Sequence, residues 1–155
     1  MNRAARGTDP ASVAHRWVEA FNARDERALR DLYHRDATVK RPTWPNERDV
    51  EASHASIQLD FGAYPDGQLE LRQVVVQERV VVVEFQFEGT NTEHLTLFSG
   101  QEIPPTGRPL RLSGTILLDV DEQGLITAER QYREIYPLVE FWIAVGVIQT
   151  EQPRH

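Results

Sequence analysis

The chain has 155 residues, and those that could carry chemistry are few. Its five histidines show neither His-x-His nor His-x-x-x-His spacing, so no metal site is expected; they are His15, His34, His54, His94 and His155. Without a cysteine the chain has neither a thiol nucleophile nor a thiolate ligand. There is also no Gly-x-Ser-x-Gly elbow, no phosphate-binding glycine loop and no dinucleotide fingerprint. The sequence therefore predicts that the protein uses no cofactor.

Two titratable side chains remain as candidates for acid–base chemistry. His54 falls on the apolar stripe of a predicted helix, where a histidine is either a hydrogen-bonded core residue or a group that acts on a substrate carbonyl. Glu129 falls on the last predicted strand, where it either transfers protons or pairs with Arg111 or Arg133 on a solvent-facing side. Glu134 immediately precedes the helix that Pro137 begins, so capping that helix is its expected role.

Aromatic residues are spaced through the predicted helices and strands, and most of them are expected in the core. A subset could line a pocket for a polyene or aromatic ligand. The predicted subset is Trp17, Tyr33, Phe61, Phe87 and Tyr132, and Tyr33 could also hydrogen-bond a carbonyl.

Length and composition are typical of one globular domain. The chain is 40% hydrophobic and 26% charged, and its net charge of −7 argues against nucleic-acid binding, which needs clustered Lys and Arg. Apolar runs such as Val80 to Val83 are far too short to cross a bilayer, and no signal peptide is recognisable. These features predict a cytoplasmic protein that binds no membrane.

The first part of the chain predicts helices and one strand. Asp9-Pro10 begins a helix to about Ala23, and Asp25 begins a shorter one whose stripe includes Leu32 and Tyr33. A strand is predicted at Ala37 to Arg41, and a third helix from about Glu47 to Gly62. In that helix Val50, His54, Ile57 and Phe61 share one face.

From Gln68 onward, alternating apolar residues predict strands joined by short turns, the pattern of antiparallel pairing. The expected strands are Gln68–Gln77, Val80–Thr90, Glu93–Ser99, Pro109–Asp119 and Leu125–Ile135, and a last helix uses Leu138, Phe141 and Ile148. Helices followed by such strands give an α+β fold. The strand Val80–Phe87 is apolar on both faces, which predicts that a second copy of the chain covers one face in a homodimer.

Several segments resemble SnoaL-like polyketide cyclases of the nuclear transport factor 2-like superfamily, over roughly residues 11 to 148. They are Val18-Glu19-Ala20-Phe21-Asn22, Leu32-Tyr33, Gly89-Thr90-Asn91-Thr92, Ile103-Pro104-Pro105-Thr106-Gly107-Arg108 and the end strand from Gly124 to Glu134. The resemblance implies a cone-shaped, curved antiparallel sheet wrapped around the N-terminal helices, with an apolar cavity and usually a homodimer.

The resemblance also implies site positions, and here the sequence departs from the family pattern. In these cyclases a carboxylate on the last strand does acid–base work, and aligning on Gly124 and Tyr132 puts Gln131 at that position. An amide cannot accept a substrate proton, so Gln131 cannot replace the carboxylate as general base. An alignment shifted by two residues places Glu129 or Arg133 on the cavity side instead.

Two other polar positions of the family are altered as well. The polar residue of the preceding strand aligns with Ile116, which the resemblance places in the pocket, and the histidine of Gly-Thr-His-Thr is Asn91. Asn91 and Gln131 could still hydrogen-bond a substrate carbonyl. Gly100 and Gly107 flank Pro104-Pro105, a composition that predicts a mobile lid over the cavity within Ser99–Arg108.

These observations predict one SnoaL-like domain over 10–148, with a flexible N-terminus at 1–9 and a C-terminal tail at 149–155. The function expected is cofactor-free ring closure of a polyketide-like intermediate in antibiotic biosynthesis, by templating a cycloaddition-type reaction. One alternative is an acid–base aldol cyclase or isomerase, or a lyase, that uses Glu129 or His54. The other is a dimeric small-ligand-binding module without catalysis.

Overall fold

A computed structural model describes residues 7–97 and 100–146 and has helices packed on the inner face of a five-stranded sheet. Its helices are α1 Pro10–Ala23, α2 Glu26–Asp31, α3 Val50–Ala63 and α4 Tyr136–Ala144. Its strands are β1 Tyr33–Lys40, β2 Gln68–Gln77, β3 Val80–Thr90, β4 Leu95–Thr96, β5 Glu102–Ile103, β6 Pro109–Val120 and β7 Ile126–Arg133. None of the helices in the described ranges is both long and apolar enough to cross a membrane.

Aspartate side chains fix the beginnings of the first three helices. Asp9 accepts a hydrogen bond from the backbone N–H of Ser12, and Asp25 does the same for Ala28, both at 3.0 Å. These two N-caps confirm the predicted helix beginnings. Asp49 caps α3 by accepting from the N–H of Ala52, so this helix begins at Val50 instead of near Glu47.

The large sheet has the order β1-β7-β6-β3-β2 and is open at both edges. The pairs β2–β3 and β6–β7 are antiparallel, as the short turns predict, and β3–β6 is also antiparallel, although a long segment containing β4 and β5 joins these two strands. The mixed α+β class and the curved sheet packed around the helices are thus confirmed. The exception is the edge strand β1, which pairs with β7 in parallel; no hairpin joins these two strands, so antiparallel pairing is not required.

Some element boundaries differ from the predicted ones. Tyr33 begins β1 instead of ending α2, so its side chain follows strand alternation into the core, where it is 7% exposed. The predicted strand at Glu93–Ser99 is reduced to β4, and the long loop after it contains β5. Ser99, Phe98, Ile148 and the predicted tail lie outside the described residues, as do residues 1–6.

Strand β3 separates two environments. Val81, Val83 and Phe85 point inward and are buried, whereas Val80 and Val82 on the outer face are only half-buried. The outer face continues onto β2, where Val75 is 51% exposed. The apolar outer surface anticipated from the sequence is therefore present, and the homodimer remains a prediction.

Candidate active site

A cavity of about 660 Å³ lies between the helices and the inner face of the sheet. Most of its wall is apolar and comes from α1, α4 and the strands β2, β3 and β6, namely Trp17, Phe21, Leu69, Phe85, Phe87, Leu110, Leu112, Ile116, Leu138 and Trp142. Its polar wall comes mainly from β7, the β1–α3 loop and α3: Gln131, Arg133, Arg41, Trp44, Arg48, Ser56 and Asp60. An apolar cavity of this size with a few grouped polar side chains is the usual form of a small-molecule site.

Alternation along β7 places Glu129, Gln131 and Arg133 on the inner side of the sheet. Opposite Arg133 on β6 stands Gly114, where an added Cβ would lie 2.8 Å from both the Arg133 Cβ and the Phe85 ring. Glycine at this position therefore leaves room for the arginine beside an aromatic ring. The alternation anticipated for Glu129 and Arg133 is present in the structure.

Glu129 lies behind the cavity wall, in a closed hydrogen-bond network. Its Oε1 accepts from the Tyr33 hydroxyl, whose oxygen accepts in turn from the Trp17 indole N–H at 2.7 Å. Its Oε2 accepts from the Gln131 amide at 3.2 Å and lies 3.6 Å from Nη2 of Arg41. Every one of these contacts supplies a donor, the arrangement that suits an ionised carboxylate.

The Glu129 network is held in place from both sides. Arg41, which is 5% exposed, also donates to the Ser53 hydroxyl at 2.8 Å. Burial, with the charge of Glu129, raises the pKa of Tyr33 well above its ordinary value, so this phenol stays protonated and keeps donating. Glu129 is 1% exposed, and its ion-pair partner is Arg41 instead of the predicted Arg111 or Arg133. Arg111 instead pairs with Glu88 on the surface.

His54 is also placed in the core and not in the cavity wall. It is 3% exposed, and its ring meets the Tyr33 ring edge-on at 5.6 Å between centroids. Burial lowers the pKa of His54, so the imidazole is favoured in its neutral form. Its Nε2 has no hydrogen-bond partner.

Asn91 has a different position from the one the resemblance implies. Its amide nitrogen donates to the backbone carbonyls of Ala63 and Glu93, at 3.2 and 2.8 Å. Its amide oxygen accepts from the N–H and the hydroxyl of Thr106, at 3.1 and 2.8 Å. Asn91 is fully buried and tethers the Pro-Pro-Thr-Gly-Arg loop, so its polar atoms are occupied by the fold and not presented to the cavity.

Of the predicted pocket residues, Trp17, Phe87 and Ile116 line the cavity, together with Gln131. Phe61 does not; its ring packs edge-on against Phe21 at 5.0 Å and lies under the Arg24 guanidinium. Tyr132 lies on the opposite face of β7 and is 57% exposed, because it alternates with Gln131. Glu134 accepts a hydrogen bond from the Ser113 N–H at 2.9 Å, and the α4 cap shows no side-chain hydrogen bond. The predicted capping role of Glu134 is therefore wrong.

Sequence reasoning missed Asp60, a carboxylate in the cavity wall. Burial raises its pKa, against the lowering effect of the Arg133 and Arg41 charges. In the described part of the chain no side chain donates a hydrogen bond to it. The four-residue spacing of Ala52, Ser56 and Asp60 in the sequence could have identified it. These small or polar residues lie on one side of α3, next to its buried side, and line the cavity.

The arrangement defines a protein with a small-molecule cavity inside an α+β cone. Residues 14–129 match the SnoaL-like domain family, and the chain belongs to that family. None of the curated proteins matches it at a significant level.

Solved structures share the fold at low sequence identity. IdmH from Streptomyces antibioticus, a proposed polyketide cyclase, is 24% identical with a TM-score of 0.71, over 84% of this chain and 96% of that one. AclR from Streptomyces galilaeus, a proposed hydroxylase, is 18% identical with a TM-score of 0.74, over 93% and 85%. A proposed SnoaL-like polyketide cyclase from Jannaschia sp. CCS1 is 14% identical with a TM-score of 0.73, over 96% and 98%. At these identities the likeness extends to the fold and leaves the chemistry to the residues.

Proposed function

We propose that this protein is a cofactor-free ring-forming enzyme that acts on a polyketide-like intermediate in natural-product biosynthesis. Membership of the SnoaL-like family supports a polyketide cyclase type of function. The observation that carries the proposed mechanism is the position of Gln131 in the cavity wall with Glu129 sequestered behind it. The last strand thus presents a hydrogen-bonding amide to the substrate where a proton acceptor would be needed for acid–base chemistry.

In the proposed mechanism the cavity folds a flexible chain into a reactive conformer. The apolar wall excludes water from the chain, and the Gln131 amide, held by its hydrogen bond to Glu129, donates its second N–H to a conjugated carbonyl. A polarised carbonyl accelerates a cycloaddition-type closure in which no proton moves. Conformational restriction and one such hydrogen bond together lower a barrier by several kcal/mol.

The structure argues against Glu129 and His54 as the proton-transfer groups of an acid–base cyclase. Neither side chain lines the cavity, Glu129 is neutralised by Arg41, and His54 packs on Tyr33. Asp60 is the group that favours acid–base closure as a second candidate. Its carboxyl lies in the cavity wall and its raised pKa brings it closer to neutral pH.

The two mechanisms are separated by turnover of a linear polyene that carries a conjugated ketone. Templated closure is an isomerisation, so the product keeps the mass of the substrate, elutes differently and loses polyene absorbance. We expect a nearly flat pH–rate profile for the native enzyme and for Asp60→Asn. An acid limb that Asp60→Asn removes, together with a rate loss on the order of 10²-fold or more, would establish acid–base closure instead. Tight binding without turnover would support a binding module.

We also propose that the loop from Ser99 to Arg108 acts as a lid. Gly100 and Gly107 both have positive φ, at 80° and 65°, and Leu97 on the near side of the loop lines the cavity. Removing residues 101–105, which leaves the hydrogen bonds from Thr106 to Asn91 in place, should retain the fold, seen in an unchanged circular dichroism spectrum, and change the turnover or binding of the polyene. Unchanged turnover in that variant would rule out the lid.

The proposed assembly is a homodimer through the outer face of the sheet. Val75, Val82 and Leu117 are cross-strand neighbours on that face, and exposed Tyr132 lies on the same side. A stable interface of this kind buries about 1,200 Å² or more. Light scattering should give a dimer at micromolar concentration, and Leu117→Arg should convert it to a monomer; a native monomer would contradict the proposal.

A further inference from the structure

The charged residues of the cavity wall are mainly positive, although the chain as a whole carries −7. In the described part of the chain they are Arg41, Arg48, Arg133 and the single acid Asp60. Glu129 neutralises Arg41 from behind, whereas Arg133 has no ion-pair partner among the described residues. A cavity that only enclosed a hydrocarbon chain would gain nothing from the buried Arg41 or the half-buried Arg133, since removing an arginine side chain from water has a large cost.

Three buried nitrogen atoms of this wall have no hydrogen-bond partner. They are Nε of Arg41, Nε1 of Trp44 and Nε of Arg133, and all three are donors. A buried donor left without an acceptor is costly, and native structures contain few of them. Three of them in residues around one cavity indicate that the complementary acceptors belong to a ligand.

The aromatic member of this group is held rigidly. Trp44 is 3% exposed, with the guanidinium groups of Arg41 and Arg48 at 5.5 and 5.1 Å from its ring centroid. Arg41 is fixed by Ser53 and Glu129, and Lys40 donates to the carbonyl of Trp44. The donors of Trp44 and Arg41 are thus preorganised before any ligand arrives, which reduces the entropy lost on binding.

We propose that the cavity recognises an ionised carboxylate, bound at Arg133, Trp44 and Arg41, on a molecule whose apolar remainder packs against the aromatic wall. The proposal rests on the proposed function in taking this cavity as the substrate site, and it names the substrate class as an apolar acid. Two arginines and an indole N–H suit a group with two anionic oxygens. The carboxylate fixes one end of the chain and so sets which segment reaches Gln131.

Asp60 opposes this ligand and provides an internal test. The charged or titratable groups around it are Arg133 from β7, Arg41 after β1 and Tyr64 at the end of α3. When Asp60 is ionised it repels a carboxylate and competes for the same arginines; when protonated it does neither. Carboxylate binding should therefore be strongest below the pKa of Asp60 and above that of the ligand, and it should weaken as Asp60 ionises.

The main experiment compares two probes of equal size, 2-naphthoate and methyl 2-naphthyl ketone, by titration calorimetry with the full chain. We expect naphthoate to bind at least tenfold more tightly than the ketone. Arg133→Gln should weaken naphthoate about tenfold and change the ketone less than twofold. Arg130→Gln is the matched control, because it makes the same change on the same strand but on the outer face, next to Asp119. Equal affinities for the two probes, or an equal loss of both in Arg133→Gln, would overturn the proposal.

Two further variants keep the test informative if Arg133→Gln does not fold. Trp44→Phe removes one donor and should weaken naphthoate severalfold and leave the ketone unaffected. Asp60→Asn should strengthen naphthoate severalfold at pH 8 and remove the pH dependence, a gain that damage to the fold cannot produce. If Asp60→Asn weakens naphthoate, the proposal is wrong. All of these experiments measure binding, so they can be interpreted even if the protein does not close rings. Conversely, a cavity without a preference for carboxylates would leave the proposed ring closure unaffected.

Discussion

Two polar clusters lie side by side on the inner face of the sheet, and they differ in whether their hydrogen bonds are satisfied. In the first, Glu129 has contacts from Tyr33, Gln131 and Arg41. In the second, the donors of Trp44 and Arg133 have no acceptor. The Glu129 carboxylate has its donors without a ligand, so these contacts stabilise the fold, whereas Nε of its neighbour Arg41 has no acceptor and belongs with the second cluster. The second is incomplete, so its energy becomes available on binding.

The comparison corrects the usual search for function among buried carboxylates. Glu129 is the most deeply buried acid of the described part and stands on the strand where the sequence resemblance implies a catalytic carboxylate, yet its contacts are those of a residue that supports the fold. Asp60, on a helix and only half-buried, is the acid in contact with the cavity. Whether a carboxylate already has hydrogen-bond donors from the protein distinguishes Glu129 from Asp60 better than the degree of burial does.

The largest effect expected is on stability, from Glu129→Gln. This change leaves the Arg41 guanidinium buried without a counter-charge and turns one acceptor oxygen into a donor facing other donors. Breaking a buried pair from one side costs about 3–5 kcal/mol. The melting temperature should fall by roughly 10 °C in a domain of this size. Scanning calorimetry measures it, and the turnover of the protein that remains folded should be nearly unchanged.

The control for Glu129→Gln is Glu88→Gln, which breaks the surface pair with Arg111 and should change stability by less than about 1 kcal/mol. The structural role of Glu129 would be contradicted by a Glu129→Gln variant that melts like the native protein and has lost its activity.

The next effect is on rate, from Gln131→Ala. If its amide donates to the substrate carbonyl, the loss of one hydrogen bond of about 1–3 kcal/mol lowers kcat about ten- to a hundredfold. The pH–rate profile should keep its shape, because no proton-transfer group is removed. Gln73→Ala is the control, since this glutamine is exposed on β2. If the Gln131→Ala variant has the native kcat, Gln131 does not polarise the substrate carbonyl, and another group of the cavity must do so.

Local chemistry made much of the fold predictable. Asp9 and Asp25 are N-caps of the usual residue type, and the hairpin of β2 and β3 has the predicted boundaries because runs of β-branched residues flank the tight turn at Glu78. The helical spacing of Leu29 and Tyr33 predicts a helix at Tyr33. Tertiary pairing with Ile126 on β7 overrides that spacing.

The site was less predictable because it depends on which residues the topology brings together. Strand alternation places Gln131 and Arg133 on one face once the strand is known. The β1–α3 loop around Trp44 has no periodicity, and only the parallel pairing of β1 with β7 brings Arg41 to Glu129. Asn91 shows the converse: its residue type suggests substrate binding, while its hydrogen bonds to Thr106 show that it tethers a loop.

The smallest effect expected is a pH dependence of stability from His54, the titratable group packed behind the saturated cluster. Burial lowers its pKa below the ordinary value of a histidine, so the unfolded chain binds a proton at a higher pH than the folded chain does. The free energy of unfolding therefore falls as the pH drops below about 6.5, where the unfolded state gains a proton that the folded state does not. His54→Gln should remove this contribution, whereas His94→Gln, at an exposed position, should leave it in place. Urea unfolding gives the free energy of unfolding of each variant at pH 7.5 and at pH 5.5. The change between the two pH values is then compared between the variants, so that the pH effects of the carboxylates, which are common to both, cancel. Equal pH dependence in both variants would show that His54 is protonated in the folded core, and the buried cluster would then have to accommodate a second cation beside Arg41.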